Sequence, residues 1–346
     1  MARYEISTQR MSWTWPQDEV KRLREEARRT SLARIEKEGY DPTGHVVLTE
    51  EEEEHLRRYF EKCISTLCQS LRLSIKIMAT AVTYFKRFHL KRSIMERNPS
   101  VSALSAIYAA AKIEEHSCPI QQILDVAFHP ESPLAKEGIF QRLEADVILG
   151  YELTFLKQLD FQLVCFHPFR CISAILDLRR DAGDDEKEIE RMAVAANRMV
   201  TGRILFSDVV LSSTPGQIAL VSVVSALRKG SAVAFDVDTL LAAIQPISNA
   251  QQRADIMADV DRIILALSDT KYEKKLTLED LRALEGRRKA VSNRGSDPDS
   301  DEYKERVRRE EEEKDEHRRN KAKKAEERKR KEQEELLGPL PVRQKI

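Results

Sequence analysis

The strongest constraint on the fold is the segment 101–113, which is apolar on nearly every side and rich in alanine. A helix that is apolar all round belongs at the centre of a packed body, and its small side chains let neighbouring helices approach closely. A second segment rich in small residues follows Thr214 and Pro215, which suit the N-cap and first turn of a helix. The sequence therefore predicts two helical units, each built round one central helix.

The rest of the first 285 residues is predicted to be helical as well. Glycine is scarce, at 11 of 346 residues, and apolar residues recur at helical spacing, while alternating patterns of strand length are few. Two capping boxes, Thr14-x-x-Gln17 and Thr49-x-x-Glu52, are predicted to open an N-terminal helix and the first helix of the first unit. Further helices are predicted from the apolar stripe at 75–85, at 119–128 and at 137–159.

His167 and Pro168 interrupt the chain, after which the pattern restarts. Helices of the second unit are predicted near 169–181, 186–205, 215–229, 236–245 and 249–269. The predicted fold is all-α, with two tandem five-helix units, extra N- and C-terminal flanking helices and a charged tail. The expected division is 1–48, an N-terminal helix and linker; 49–165, the first unit; 166–285, the second unit with a flanking helix; and 286–346, the tail.

The tail differs sharply from the rest of the chain in composition. Residues 286–346 hold 20 Lys or Arg and 16 Asp or Glu, with hardly any apolar residue before Leu336. Such a segment cannot bury a core, and we expect it to be a mobile tail of fluctuating helicity. Oppositely charged residues four apart, such as Glu327 and Lys331, favour a solvated helix. Its basic clusters suit nuclear import, but the acids among them favour simple solvation.

The sequence lacks the motifs of the common enzyme and metal sites. It contains no GxGxxG, no P-loop, no HExxH and no GxSxG. The five cysteines form no CxxC pair and lie within apolar helical patterns, which predicts buried, reduced thiols rather than disulfides or a zinc site. The seven histidines stand apart from one another. We therefore expect no catalytic residue, no metal and no cofactor in this chain.

Hydropathy and charge indicate the compartment and exclude two classes of partner. No run of about 18 apolar residues occurs, and the charged start has no signal-peptide core, so we expect a soluble intracellular protein without membrane contact. A DNA-binding body needs a basic stripe that neutralises phosphates. Residues 1–285 contain 38 Lys or Arg against 42 Asp or Glu, so we expect no direct contact with nucleic acid.

Several motifs in the two units resemble those of the cyclin family. In the first unit these are the segments 84–88 (Tyr-Phe-Lys-Arg-Phe), 109–115 (Ala-Ala-Ala-Lys-Ile-Glu-Glu) and Glu152-Leu153-x-x-Leu156-x-x-Leu159-x-Phe161. His167-Pro168 is similar to the family's linker, and 214–220 to the third helix of its second unit. The resemblance implies two stacked five-helix cyclin boxes. It also implies a non-catalytic subunit that holds the αC helix of a cyclin-dependent kinase in its active position.

Finer details resemble the cyclin H branch of the family, which serves the CDK-activating kinase. They are Trp13-Thr14-Trp15 ahead of a charged helix, Ser132-Pro133-Leu134 and Ser207-Asp208. The resemblance implies three partners: a cyclin-dependent kinase catalytic subunit of the CDK-activating type, a RING-finger assembly subunit and, indirectly, the core of transcription factor TFIIH. It further implies a nuclear protein that supports phosphorylation of CDK activation loops and of the RNA polymerase II C-terminal domain.

Lys112 and Glu152 occupy the positions of the Lys and Glu that, in the family, bind backbone groups of the kinase beside its αC helix. Hydrogen bonds to charged groups are roughly twice as strong as neutral ones, and either group left unpaired in an interface is costly. From the residues alone, the alternative is that Lys112 complements a helix C-terminus and that Glu152 is solvated.

Aromatic and apolar residues complete the predicted kinase-binding set. Tyr84, Phe85, Phe88 and Ile113 lie at helical spacing near Lys112, where a core role and an interface role are both open. Trp13 and Trp15 need a surface to bury them, either the first box of the same chain or the kinase. The full predicted set is Lys112, Glu152, Tyr84, Phe85, Phe88, Ile113, Trp13 and Trp15.

Two other functions stay open. One is that of another transcriptional cyclin, of the C, L or T type, against which the Trp13-Thr14-Trp15 helix argues. The other is a nucleic-acid-binding cyclin fold, as in the TFIIB family, which the slightly acidic body disfavours. Residues 56–60 read Leu-Arg-Arg-Tyr-Phe where cell-cycle cyclins carry Met-Arg-Ala-Ile-Leu with a nearby Trp, and this disfavours docking of RxL substrates.

Overall fold

The chain is helical in all the parts that the structure describes. The computed structural model describes residues 3–41, 46–181, 183, 185–230, 250–268, 276–292 and 301–337, and no strand occurs among them. In chain order the helices are α1 (Thr8–Ser12), α2 (Gln17–Lys37), α3 (Glu50–Ser70), α4 (Ile75–Leu90), α5 (Pro99–Ile113), α6 (Ile120–Ala127), α7 (Pro133–Glu137), α8 (Ala145–Gln158), α9 (Phe169–Asp181), α10 (Glu186–Gly202), α11 (Val209–Ser212), α12 (Pro215–Gly230), α13 (Ala250–Ser268), α14 (Leu278–Ala290) and α15 (Asp301–Leu337).

The first domain packs its helices round α5, as the small-residue pattern predicts. Helices α3, α4 and α8 all contact α5. Ala103, Ala106 and Ala110 are completely buried, which lets the neighbouring helices approach its backbone. Asn98 caps the helix by accepting a hydrogen bond from the Ser100 N–H at 3.0 Å. The predicted capping box of Thr49 and Glu52 is confirmed at the start of α3.

The second domain repeats this arrangement round α12. Helices α9, α10 and α13 contact it, and a separate apolar core surrounds it. Ser222 is completely buried, and its hydroxyl donates to the Ile218 carbonyl oxygen at 2.7 Å, so the helix itself satisfies the polar group. The predicted helices at 169–181, 215–229 and 249–269 are confirmed to within a residue at each end. The one predicted near 236–245 lies outside the described residues.

The flanking helices pack mainly on the first domain. Helix α2 contacts α4 and α11, and α14 contacts α3. Leu284 and Val291 join the core of the first domain. Helix α14 was predicted to belong with the second unit, but it covers the first, and the predicted boundary after residue 285 falls inside it. The residues 287 and 288 that look like tail are paired and partly or wholly buried.

Two predicted helix boundaries are wrong. The helix predicted over 137–159 is interrupted because Gly138 adopts φ of 68° and ends α7, and α8 begins only at Ala145. The box predicted at Thr14 does not form, and α2 begins at Gln17 after Pro16. Proline disfavours helical geometry in Trp15 before it, and the Thr14 hydroxyl donates instead to the Gln9 carbonyl oxygen at 3.0 Å.

The residues from Arg294 onward form a separate compact unit. Its helix α15 runs for 37 residues and carries ion pairs at i,i+4 spacing, such as Arg328 with Glu332 at 3.3 Å. The predicted solvated helix is therefore confirmed over Asp301–Leu337. The mobility of the tail stays a prediction.

Candidate functional site

An ion pair joins the C-terminal end of α5 to α8 at the surface of the first domain. Lys112 Nζ lies 2.5 Å from Glu152 Oε1, and the same ammonium sits 5.0 Å from the centre of the Tyr108 ring. The hydrogen bond to Glu152 raises the pKa of Lys112. The side chains are 51% and 22% exposed, so both charges are presented to solvent in a fixed position. The two residues that sequence motifs place 40 positions apart are thus brought together.

Apolar side chains surround this pair. On α8, Leu149 and Leu153 flank Glu152 at helical spacing, and they are 42% and 55% exposed. Ile113, next to Lys112, is 39% exposed. Large exposed apolar side chains beside a pair of fixed charges are typical of a protein-binding surface. Ile113 is therefore placed where its predicted role requires.

The turn that follows α8 extends this surface. Asp160 and Phe161 both have φ of 53°, a left-handed conformation that ordinary residues rarely adopt, and Phe161 is 56% exposed. Lys91 binds Asp160 at 3.3 Å, and the Tyr84 hydroxyl donates to the Leu163 carbonyl oxygen. The turn is thus held from α4, and it presents an aromatic ring to solvent at a conformational cost.

The linker between the domains is fixed beside the same surface. The Thr80 hydroxyl donates to Glu114 Oε1 at 2.9 Å and lies 2.8 Å from His167 Nε2, while Lys76 pairs with Glu114. Burial lowers the pKa of His167 to about 3, so its ring is neutral. His167 therefore anchors the linker to α4 and does not titrate near neutral pH.

Three predicted interface aromatics lie in the core instead. Tyr84, Phe85 and Phe88 have at most 1% of their surface exposed. The Phe88 ring stacks on Phe155 with centroids 5.2 Å apart, and the Phe85 ring lies 4.4 Å from His89. As direct kinase contacts they are corrected, because the side chains have no surface to offer a partner. The sequence left both roles open, since helical periodicity alone does not separate a core face from an interface.

The two tryptophans dock onto their own chain. Trp13 is 1% exposed, and its indole N–H donates to Gln162 Oε1 at 2.6 Å. Its ring lies between the cationic groups of Arg87 and Lys91, at 5.0 and 4.8 Å. The Trp15 backbone N–H donates to Leu211 O at 2.9 Å. Of the two surfaces left open, the structure therefore has Trp13 on the first domain, which corrects its assignment as a kinase contact.

A buried ionic cluster that sequence reasoning missed holds α2 against both domains. Arg24 forms a bidentate pair with Asp208 of the second domain and lies 3.5 Å from Glu54 of α3. Burial opposes ionisation of Glu54, yet the guanidinium groups of Arg24, Arg57 and Arg58 hold its pKa well below the usual range. Arg28 pairs with the buried Glu53. The motif Ser207-Asp208 was the only signal, and its partner was not predictable from spacing.

The described residues contain no group of His, Cys, Asp and Glu side chains suited to a metal ion. None of the helices described here is both long and apolar enough to cross a membrane. The predicted reduced thiols are confirmed, since all five cysteines are free and only Cys171 is not buried.

The sequence matches the cyclin N-terminal domain over residues 31–164 and the cyclin C-terminal domain over residues 167–269. Cyclin-H1-1 of Arabidopsis thaliana is 27% identical over 248 residues, which cover 64% of this chain and 70% of that protein. Cyclin-H of Xenopus laevis is 29% identical over 226 residues, which cover 64% of this chain and 68% of the relative.

The fold is similar to that of a solved chain in the CAK complex of Chaetomium thermophilum bound to ATP-gamma-S. The TM-score is 0.71 at 21% identity, over 89% of this chain and 94% of that one. The two domain matches coincide with the two helical domains seen here, and the relatives that span both are cyclins of the H type. This chain belongs to the cyclin family.

Proposed function

We propose that this cyclin binds and activates a cyclin-dependent kinase of the CDK-activating type through the surface round Lys112 and Glu152. The observation that carries the proposal is the exposed ion pair between α5 and α8, bordered by Ile113, Leu149 and Leu153. Its position in the motifs shared with the family and the similarity of both domains to cyclin H support it. The chain contributes no catalytic group, and the phosphoryl-transfer chemistry belongs to the partner.

The geometry suits recognition of a helix end. A lysine ammonium supplies donors for the free carbonyl groups at a helix C-terminus, and a carboxylate accepts from backbone N–H groups. The exposed leucines and Ile113 bury apolar side chains of the same helix, which supplies affinity, while the two charges set its register. A kinase αC helix held in this way keeps its active position. That rigid positioning is the proposed means of activation.

The wider assembly is proposed on the cyclin H similarity. The partners are the kinase catalytic subunit, a RING-finger assembly subunit and, through them, the TFIIH core, and the compartment is the nucleus. The expected reactions of the assembly are phosphorylation of CDK activation loops and of the RNA polymerase II C-terminal domain. A cyclin of the C, L or T type is the second candidate, and co-purification of the kinase followed by mass spectrometry separates the two.

Charge reversal tests the kinase-binding surface. Lys112→Glu and Glu152→Lys each place a like charge beside its former partner and against the kinase backbone. Truncating one member of such an interface pair costs about 2–5 kcal/mol. We therefore expect the affinity for the purified kinase, measured by calorimetric titration, to fall by at least about thirtyfold. The melting temperature of the free cyclin should change little, because exposed ion pairs contribute about 0–1 kcal/mol.

Two further variants complete the experiment. The exposed Lys187→Glu on α10 changes charge by the same amount away from this surface and should leave affinity unchanged. The double variant Lys112→Glu/Glu152→Lys restores the pair within the cyclin but presents its charges in reversed positions. We expect it to regain stability and not kinase affinity. Wild-type affinity in both single reversals would show that the kinase binds elsewhere.

A further inference from the structure

Helix α15 divides into an acidic half and a basic half. Residues 301–316 contain nine Asp or Glu and five Lys or Arg, while residues 317–331 contain nine Lys or Arg and two Glu. The whole chain has a formal net charge of zero, with 58 residues of each sign, so this segregation is hidden in the total. The expectation of no contact with nucleic acid rested on the acidic body, and it does not extend to a segment of such different charge.

The basic half carries a continuous stripe along one face. Steps of alternately three and four residues keep side chains on one side of a helix. The stripe consists of Lys314, His317, Lys321, Lys324, Arg328 and Lys331, and all six are exposed. At a rise of 1.5 Å per residue it is about 26 Å long. Among the side chains that the structure describes, Arg328 pairs with Glu332, and no carboxylate pairs with Lys321, Lys324 or Lys331.

We propose that this stripe, beyond the kinase-activating role of the folded domains, is a docking surface for double-stranded DNA. A duplex carries one phosphate charge per about 1.7 Å of its axis, which is a dense, regular complement to a straight row of cations. A helix about 10–12 Å across enters the major groove of B-DNA, about 12 Å wide. Lysines act as point charges on phosphates, so the binding is independent of sequence.

Other polyanions fit the stripe less well. The major groove of double-stranded RNA is deep and narrow, and a helix does not enter it. A helix that lies in a membrane surface needs an apolar face opposite its basic one. Described side chains on the other faces of 317–331 include Arg319, Lys323 and Glu327, which are charged and exposed. The stripe therefore has the charge for a membrane but lacks the apolar area.

The test measures binding of the full-length chain to a labelled DNA duplex of about two turns by fluorescence anisotropy. We expect a dissociation constant in the micromolar range, about 10⁻⁴ to 10⁻⁶ M, near physiological salt. Affinity should fall by about a thousandfold between about 50 and 200 mM salt, as for some six phosphate contacts. The variant Lys321→Gln/Lys324→Gln/Lys331→Gln should lower the salt slope by about 3 and weaken binding at least about tenfold.

A matched control has the same net charge. Arg319→Gln/Lys323→Gln/Lys329→Gln removes three cations from the other faces, and glutamine preserves helix propensity in both variants. We expect the control to lose less than about threefold in affinity, with a slope change below about 1. Equal losses in the two variants would overturn the proposal, as would the absence of DNA binding. Tighter binding to an RNA duplex or to phosphatidylserine vesicles would overturn it too. Kinase affinity, measured on the same variants, reports on the proposed function separately.

Discussion

Two buried ionic groups, Glu61 and Lys86, lie where α3 packs against α4. Their charged atoms are 2.9 Å apart and their side chains are at most 2% exposed, while Glu61 Oε2 has no hydrogen-bond partner. Burial raises the pKa of Glu61 to about 7; the Lys86 ammonium opposes this rise, and the nearby carboxylates of Glu54 and Asp208 add to it. A buried pair of this kind contributes little net stability, but breaking it is costly.

The raised pKa of Glu61 predicts a specific dependence of stability on pH. Between its ordinary value of 4.5 and about 7, the folded chain holds a proton that the unfolded chain has released. The free energy of unfolding therefore falls as the pH rises through this window. Glu61→Gln removes that proton. The difference in unfolding free energy, wild type minus variant, should fall by up to about 1.4 kcal/mol per pH unit.

Urea denaturation at pH values across this window measures that difference. The low pKa values of Glu54 and Asp208 give slopes of opposite sign, but these are common to both proteins and cancel in the subtraction. Glu25→Gln, an exposed change on α2, serves as the control and should give a flat difference. A flat difference for Glu61→Gln as well would show that this carboxyl is ionised throughout.

Gly138 and Gly150 give a second prediction at this scale, with opposite signs. No atom lies within 4 Å of a Cβ built at either position, so only backbone conformation differs. Gly138 has φ of 68°, where alanine is strained by about 1–2 kcal/mol. Gly150 lies within α8, where alanine is favoured by about 0.5–1 kcal/mol. Thermal denaturation should therefore show Gly138→Ala less stable and Gly150→Ala more stable than wild type; the same sign for both would contradict this account.

Among the elements, the N-terminal segment acts as a clasp across both domains. The Gln9 side chain accepts from the Phe166 N–H at 2.6 Å and donates to the Phe166 carbonyl at 3.1 Å, which fixes it to the linker. Trp13 binds the end of the first domain, and Arg24 binds Asp208 of the second. Because these contacts reach different domains, docking of the segment fixes the two domains relative to each other.

Trp13→Ala tests the clasp. Truncating a buried tryptophan costs about 3–5 kcal/mol. Since the ring lies on the first domain and outside its apolar core, we expect the loss to fall on docking of the segment. Trypsin should cleave residues 3–37 at least about tenfold faster, while the domains melt at nearly the wild-type temperature. Trp13→Phe keeps most of the apolar area and should show a smaller effect. An unchanged cleavage rate would mean that other contacts hold the segment.

The elements also show what sequence patterns predict and what they do not. Composition and spacing predicted the two central helices correctly, because burial on all sides requires small residues there whatever the neighbours are. The Lys112 and Glu152 pair was reached through family motifs, and their kinase contact stays a prediction. The break at Gly138 and the partners of Arg24 depend on tertiary contacts. So did the role of Phe88, since its spacing suits a core and an interface equally well.

For the molecule as a whole, both flanking helices stabilise the first domain, which carries the proposed kinase surface. Arg34 of α2 donates to the Val291 carbonyl at 2.8 Å, just beyond α14, so the two flanking helices are also joined to each other. The second domain has its own core and meets the first through the linker, the short turn at Ile204–Phe206 and the clasp. The proposed binding surface is thus supported by residues far apart in the sequence.

The end of α14 marks how far the folded body extends, and truncation tests it. Arg288 is completely buried, binds Glu285 through two hydrogen bonds and donates to the Arg97 carbonyl at 3.1 Å. Arg287 binds Glu52 at 2.6 Å and the Val47 carbonyl at 2.8 Å. A chain ending at residue 285 lacks both arginines and leaves Glu285 buried without its partner. Removing one member of a buried pair costs about 3–5 kcal/mol.

A chain ending at residue 293 keeps all these contacts and loses only the separate unit from Arg294 onward. We expect the 1–293 chain to melt within about 2 °C of the full-length protein, because surface charge contributes little to stability. The 1–285 chain should melt at least about 5 °C lower, since 1 kcal/mol shifts a domain of this size by about 2–4 °C. Kinase activation on a polymerase-tail peptide should stay within about tenfold of wild type for 1–293. Equal melting of the two truncations would mean that the last turn of α14 does not support the first domain, and loss of activation by an intact 1–293 complex would assign the tail a part in it.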